Sequence, residues 1–148
     1  MLVHATTVAI AGKGVLIRGA PGGGKSDLAL RLIDGGAKLV ADDWTEIMRR
    51  GKSLIASAPK AIAGLMEVRG VGVVKVRAVK RARLVLAVDL AGPEKIERLP
   101  EAEWVEILKV RLRLIRLAPF EVSAAAKLRA ALGVALRKKS YNPDPLGP

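Results

Sequence analysis

Gly19-Ala20-Pro21-Gly22-Gly23-Gly24-Lys25-Ser26 is the stretch that decides the fold. It fits the Walker A pattern, two glycines with four residues between them followed by lysine and a hydroxyl residue. Glycines let the backbone curl so that successive N–H groups point inward at phosphate, a shape that a Cβ would oppose. The helix expected from Lys25 onward adds the positive end of its dipole. Lys25 is suited to the β- and γ-phosphates of ATP, and the Ser26 hydroxyl to Mg²⁺. The eight residues from Gly19 to Ser26 are therefore the candidate nucleotide-binding loop.

The flanking sequence supports this. Upstream, Val15-Leu16-Ile17 is an aliphatic run bounded by glycine, which predicts a buried strand. An alternating segment around Val8 and Ile10 predicts a strand before it, ending in a turn at Gly12-Lys13-Gly14. Downstream, Leu28, Leu32 and Ile33 recur at helical spacing until Gly35-Gly36 stops the helix. Leu39-Val40-Ala41 then predicts a second buried strand running into Asp42-Asp43. Strand, loop, helix and strand make the unit expected around a phosphate loop. The remainder reads as β-rich. A hairpin is predicted across Arg49-Arg50-Gly51-Lys52, with strands at 71–76 and 84–90. A polar, partly helical connection is expected from Pro93 through Trp104, then an edge strand at 112–117 and an amphipathic helix at 123–136. The fold class is α/β.

Composition sets the outer limits. The chain of 148 residues suits one domain, and its apolar fraction of 51% supports a packed core. Cysteine is absent and His4 is the one histidine, which excludes disulfides, thiolate chemistry and histidine-rich metal clusters. No secretory leader or membrane span is evident, so a cytoplasmic protein is expected. The net charge of +12 attracts polyanions. No aromatic residues interleave the basic runs in the sequence, so a solvated face is favoured over a nucleic-acid site.

Four further positions carry candidate chemistry. Asp42 and Asp43 end the second strand, where ligands collect in α/β sheets. One carboxylate is suited to Mg²⁺ or its water, the other to accepting a proton. In an extended chain their side chains would alternate, so only one need enter the site. Glu67, in Met66-Glu67-Val68-Arg69-Gly70-Val71-Gly72-Val73-Val74, is an acid among apolar residues and a candidate metal ligand. The spaced glycines after it suggest close backbone approach, and the plainer alternative is a surface Glu–Arg pair before a bulged strand. His4 alone reads as incidental, and spacing does not single out Arg98.

Together these segments resemble the catalytic domain of HPr kinase/phosphorylase, from His4 to about Arg98. The likeness is strongest from Gly14 through the phosphate loop to Asp43, and again at Met66–Val74. It implies an α/β fold of the phosphoenolpyruvate-carboxykinase-like type for a catalytic domain over 1–139, while the three prolines between Ser140 and Pro148 predict a disordered tail over 140–148. It implies that Lys25 binds phosphate, that Ser26 and Glu67 bind Mg²⁺, and that Asp43 is the proton acceptor. It also puts His4 and Arg98 in the active site. The implied activity is ATP-dependent phosphorylation of a serine on the phosphocarrier HPr or its nitrogen-system relative, regulating the phosphotransferase system, with the reverse phosphorylase reaction, in which Asp43 would donate the proton, left open. The implied assembly is a homo-oligomer, up to a hexamer, of a short form without the family's N-terminal domain. Pro21, Asp27, Ala5 and Ala37 depart from the family pattern. So does Leu117-Ala118-Pro119-Phe120-Glu121, where a glycine- and arginine-containing loop associated with the phosphorylase reaction is expected. Rival readings are a non-catalytic ATP sensor, a small-molecule kinase and a nucleic-acid-associated ATPase.

Overall fold

Aliphatic runs punctuated by glycine turns give eleven strands and two helices in the computed structural model, which describes residues 1–137. In chain order these are β1 (Leu2–His4), β2 (Thr6–Ile10), β3 (Lys13–Arg18), α1 (Lys25–Asp34), β4 (Lys38–Ala41), β5 (Trp44–Arg50) and β6 (Ser53–Ser57). There follow β7 (Leu65–Val68), β8 (Gly72–Lys75), β9 (Arg81–Leu90), β10 (Glu103–Ile107), β11 (Val110–Leu117) and α2 (Ala124–Leu136). The tail expected at 140–148 lies outside the described residues, as do Lys138 and Lys139.

Nine strands form one mixed sheet, ordered β1-β5-β6-β9-β3-β2-β4, with β11 beside β9 and β10 on β11. β7 and β8 form a separate hairpin. The helix α1 connects β3 to β4, as the phosphate-loop unit requires, but β2 lies between those two strands and is antiparallel to both. The turn expected at Gly12–Gly14 is tighter than read. Ala11 and Gly12 alone make it, both with positive φ, and Ile10 pairs with Lys13. Gly14 belongs to β3, because a Cβ there would lie 2.8 Å from the Arg83 carbonyl oxygen of β9. Its missing side chain lets the two strands meet.

β3 is buried on both faces. Val15 and Ile17 pack with Leu28 and Leu32 of α1, Leu128 and Leu132 of α2, and Leu86 and Val88 of β9. Leu16 points the other way, into a second core with Val40, Ile47, Leu54, Ala87, Leu112 and Leu114. That second core is made from strands and their ends, so the sheet curls over it. Each fully buried aliphatic side chain contributes about 1.5–3 kcal/mol, which makes these two cores the main stabilising term.

Two sequence expectations fail here for one reason. β11 is not an edge strand: it pairs with β9 in parallel and with β10 antiparallel. Trp104 is not in a helical connection but in β10, opposite Arg113, and only Pro93–Lys95 forms a helical turn. Alternating arginines mimic a solvent edge, whereas long-range pairing sets the strand's position. The consequence for function is that β3, β9 and β11 are adjacent parallel strands whose carboxyl ends gather along one rim of the sheet.

Candidate active site

Arg18 ends β3 with a bidentate pair to Asp89 of β9, at 2.7 and 2.9 Å, which fixes the two strand ends from which the rim loops start. The phosphate loop leaves β3 at once. Gly22 and Gly24 have φ of 73° and 100°, a region that L side chains rarely adopt. Gly24 is also crowded: a Cβ there would lie 3.0 Å from Pro119 Cβ and 3.1 Å from the Phe120 ring. Lys25 opens α1 and is 5% exposed. Its ammonium donates to the carbonyl oxygens of Gly19 at 2.8 Å and Ala20 at 3.1 Å, so the charge is braced across the mouth of the loop.

Past β4 the chain turns sharply. Asp43 has φ of 66°, a left-handed conformation that breaks the strand alternation. Asp42 and Asp43 therefore both line one cavity, although an extended chain would have needed only one of them to do so. Thr6, fully buried on β2, ties them together. Its hydroxyl donates to Asp42 Oδ1 at 3.2 Å and accepts the Asp43 N–H at 3.0 Å. Asp42 Oδ1 also accepts the Ser26 hydroxyl at 2.6 Å, and Asp42 Oδ2 accepts the Glu67 N–H at 3.1 Å. Asp42 is only 6% exposed, and three donors from three elements hold its charge. Asp43 is half exposed, and its Oδ1 accepts from His4 Nε2 at 2.6 Å. The His4 ring packs against Trp44, centroids 4.8 Å apart.

The cavity has a volume of about 440 Å³. It brings together His4, Lys25, Ser26, Asp42, Asp43 and Glu67, together with Pro21, Gly22 and Gly24 of the loop. Arg98 is not among the lining residues; it lies exposed in the connection between β9 and β10. Gly70 and Gly72 have positive φ and open space where a Cβ would stand, so they serve the β7–β8 turn rather than a close approach. Sequence reasoning missed Thr6 and Phe120. A pair of threonines opening an otherwise aliphatic strand is the signal for the first. Phe120 carries no local signal, because the loop between β11 and α2 reaches the site through tertiary contacts. Arg31 of α1 holds that loop by donating to the carbonyl oxygens of Pro119 and Glu121.

With this geometry in view, the comparisons decide the family. The family model described as the HPr Serine kinase C-terminal domain matches residues 1–142. The chain belongs to this family. The HPr kinase/phosphorylase of Brevibacillus brevis is 36% identical over 95% of the chain and 50% of its own length. That of Geobacillus kaustophilus is 43% identical over 74% of the chain and 39% of its own length. The chain thus spans about half or less of these relatives. The solved structure of the Hpr(Ser) kinase/phosphatase from Coxiella burnetii aligns with a TM-score of 0.84 at 26% identity, covering 95% of this chain and 99% of that one. The mixed sheet with a C-terminal helix is thus the HPr kinase fold.

The oxygen donors fit Mg²⁺. Ser26, Asp42 and Glu67 all line the cavity and carry the hard oxygen atoms that Mg²⁺ accepts, and Mg²⁺ in kinases takes few protein ligands, filling its sphere with water and phosphate oxygens. Among the described residues no group of three or more carboxylates, histidines or cysteines is placed to hold a metal ion by protein ligands alone. The basic residues divide differently. Lys52, Arg83, Arg111 and Arg113 line a separate cavity at the amino-terminal ends of β9 and β11, opposite the phosphate rim. Trp104 lies there under Arg111 and Arg113, at 4.5 and 5.6 Å, an aromatic–arginine contact that the linear sequence hides. These basic strands therefore do not flank the site. Among the described residues no helix is long and apolar enough to cross a membrane.

Proposed function

We propose that this chain is an ATP-dependent kinase domain that phosphorylates a serine on HPr or its nitrogen-system relative. One observation carries the reading: the Asp43 carboxylate, held by His4 at 2.6 Å, shares a cavity with Lys25 and Ser26 of the phosphate loop. The names of the relatives supply the substrate class. The loop N–H groups and Lys25 would hold the phosphates and balance their charge, while Ser26, Asp42 and Glu67 hold Mg²⁺, which neutralises charge on the phosphate oxygens. Asp43 Oδ1 is committed to His4, which leaves Oδ2 to take the proton from the serine hydroxyl. The serine Oγ–P bond forms as the bond from the γ-phosphorus to the ADP oxygen breaks. The same reading makes residues 1–139 the catalytic unit and implies a cytoplasmic homo-oligomer, up to a hexamer. These features rest on likeness to the family. Arg98 enters this scheme only if another surface or a rearrangement brings it to the cavity.

Asp43→Asn tests the proposal. Its amide keeps the shape and a contact with His4 but removes the base, so transfer to purified HPr should fall by about 10²-fold or more while ATP still binds. Transfer at the wild-type rate would refute the role of Asp43. Tight ATP binding by the wild type without transfer to any phosphocarrier would favour the sensor reading instead.

A further inference from the structure

A second cavity, of about 420 Å³, adjoins the phosphate loop on the side away from Asp42 and Asp43. Three segments wall it, each following the carboxyl end of one of the three parallel strands. These are Ala20 and Gly23 after β3, Leu90–Pro93 at the end of β9, and Ala118–Glu121 after β11. Its lining is almost wholly apolar, and the Glu121 carboxylate is engaged by Lys127 at 2.8 Å. Phe120 is the wall common to this cavity and the phosphate cavity. Its side chain is large, apolar and 71% exposed.

We infer that this cavity seats the aromatic base of the nucleoside triphosphate, with Phe120 supplying an apolar face to it. The inference rests on the phosphate-site reading and goes beyond it by assigning the other end of the ligand. The residues of the loop divide between the two cavities: Pro21, Gly22 and Gly24 line the first, Ala20 and Gly23 the second. A nucleotide with its phosphates on this loop therefore lies with its base at the second cavity, along the strand-end crevice where α/β folds bind ligands. The volume is in the range of small-molecule sites, and an apolar slot beside one aromatic ring suits a flat, weakly hydrated heterocycle. Arg31 fixes the seat by holding the carbonyl oxygens on either side of Phe120. The loop that departs from the family pattern is thus the one that grips the base.

Calorimetry with two probes, ATP and inorganic tripolyphosphate, each with Mg²⁺, tests the seat. The wild type should bind ATP more tightly than tripolyphosphate. Phe120→Ala should weaken ATP binding by about tenfold, the scale of one lost aromatic–base contact, and leave tripolyphosphate unchanged. Ala91→Leu, which fills the cavity from the segment that follows β9 and leaves Phe120 in place, should do the same. Wild-type ATP affinity in both variants would overturn the seat, as would a wild type that gains nothing from the base. In either case, tripolyphosphate binding would leave the phosphate site standing. A wild type that binds neither probe would overturn the phosphate site and the seat together.

Discussion

Replacing Asp42 by alanine removes the acceptor for three donors, and the structure says which losses matter. Ser26 faces the cavity, so its hydroxyl turns to water at little cost. The Thr6 hydroxyl is fully buried and its oxygen already accepts the Asp43 N–H, so its proton is left without a partner. The Glu67 N–H, part-buried under α1, loses its partner as well. Each orphaned donor costs about 1–3 kcal/mol, set against some relief from no longer burying a carboxylate. The net expectation is about 3 kcal/mol, a fall in melting temperature of about 10 °C for a domain of this size. Asp42→Asn should fall between the two, because its amide oxygen still serves Ser26 and Thr6 while its NH₂ opposes the Glu67 N–H. Calorimetric unfolding of the three proteins without nucleotide reads this directly. A shift under about 2 °C for Asp42→Ala would refute the view that this carboxylate anchors the site.

Lys25→Ala should weaken ATP binding by at least about tenfold, since a charge-assisted contact with the terminal phosphates is lost; calorimetry showing wild-type affinity would remove Lys25 from the phosphate site. Arg31→Ala cuts the donors to Pro119 and Glu121, and hydrogen exchange over residues 118–124 should quicken by about tenfold while β3 and β9 stay protected. Unchanged exchange there would mean that packing, not Arg31, holds the loop.

The phosphate loop was legible because its chemistry is local: glycines, lysine and serine at fixed offsets between a strand and a helix. The pairing of Asp42 with Asp43 was half legible. Their place at a strand end could be read, but the left-handed turn at Asp43 depends on Thr6, thirty-seven residues earlier. His4 gained weight only from resemblance, and the structure explains why, since its partner is thirty-nine residues away. Glu67 was singled out for its side chain, yet its observed bond runs through its backbone N–H. The connection 117–121 showed itself only as a departure, because walls made from three strand ends leave no periodicity in any one of them. The reading of β11 as an edge failed for the same reason, its neighbours being fixed by β9 and β10.

The parallel pairing of β3 with β9 has a further consequence for how such a protein comes into being. Every acidic, basic and hydroxyl group proposed for chemistry in the observed cavity lies within the first 67 residues. A chain leaving the ribosome therefore carries that whole set before half of it is made. Yet β3, which aims the phosphate loop, gains its parallel neighbour only when β9 arrives, with Arg18 and Asp89 seventy-one positions apart. Contacts of that span are late and slow to form. The second half of the molecule adds little of the reacting chemistry, but it governs when that chemistry can exist.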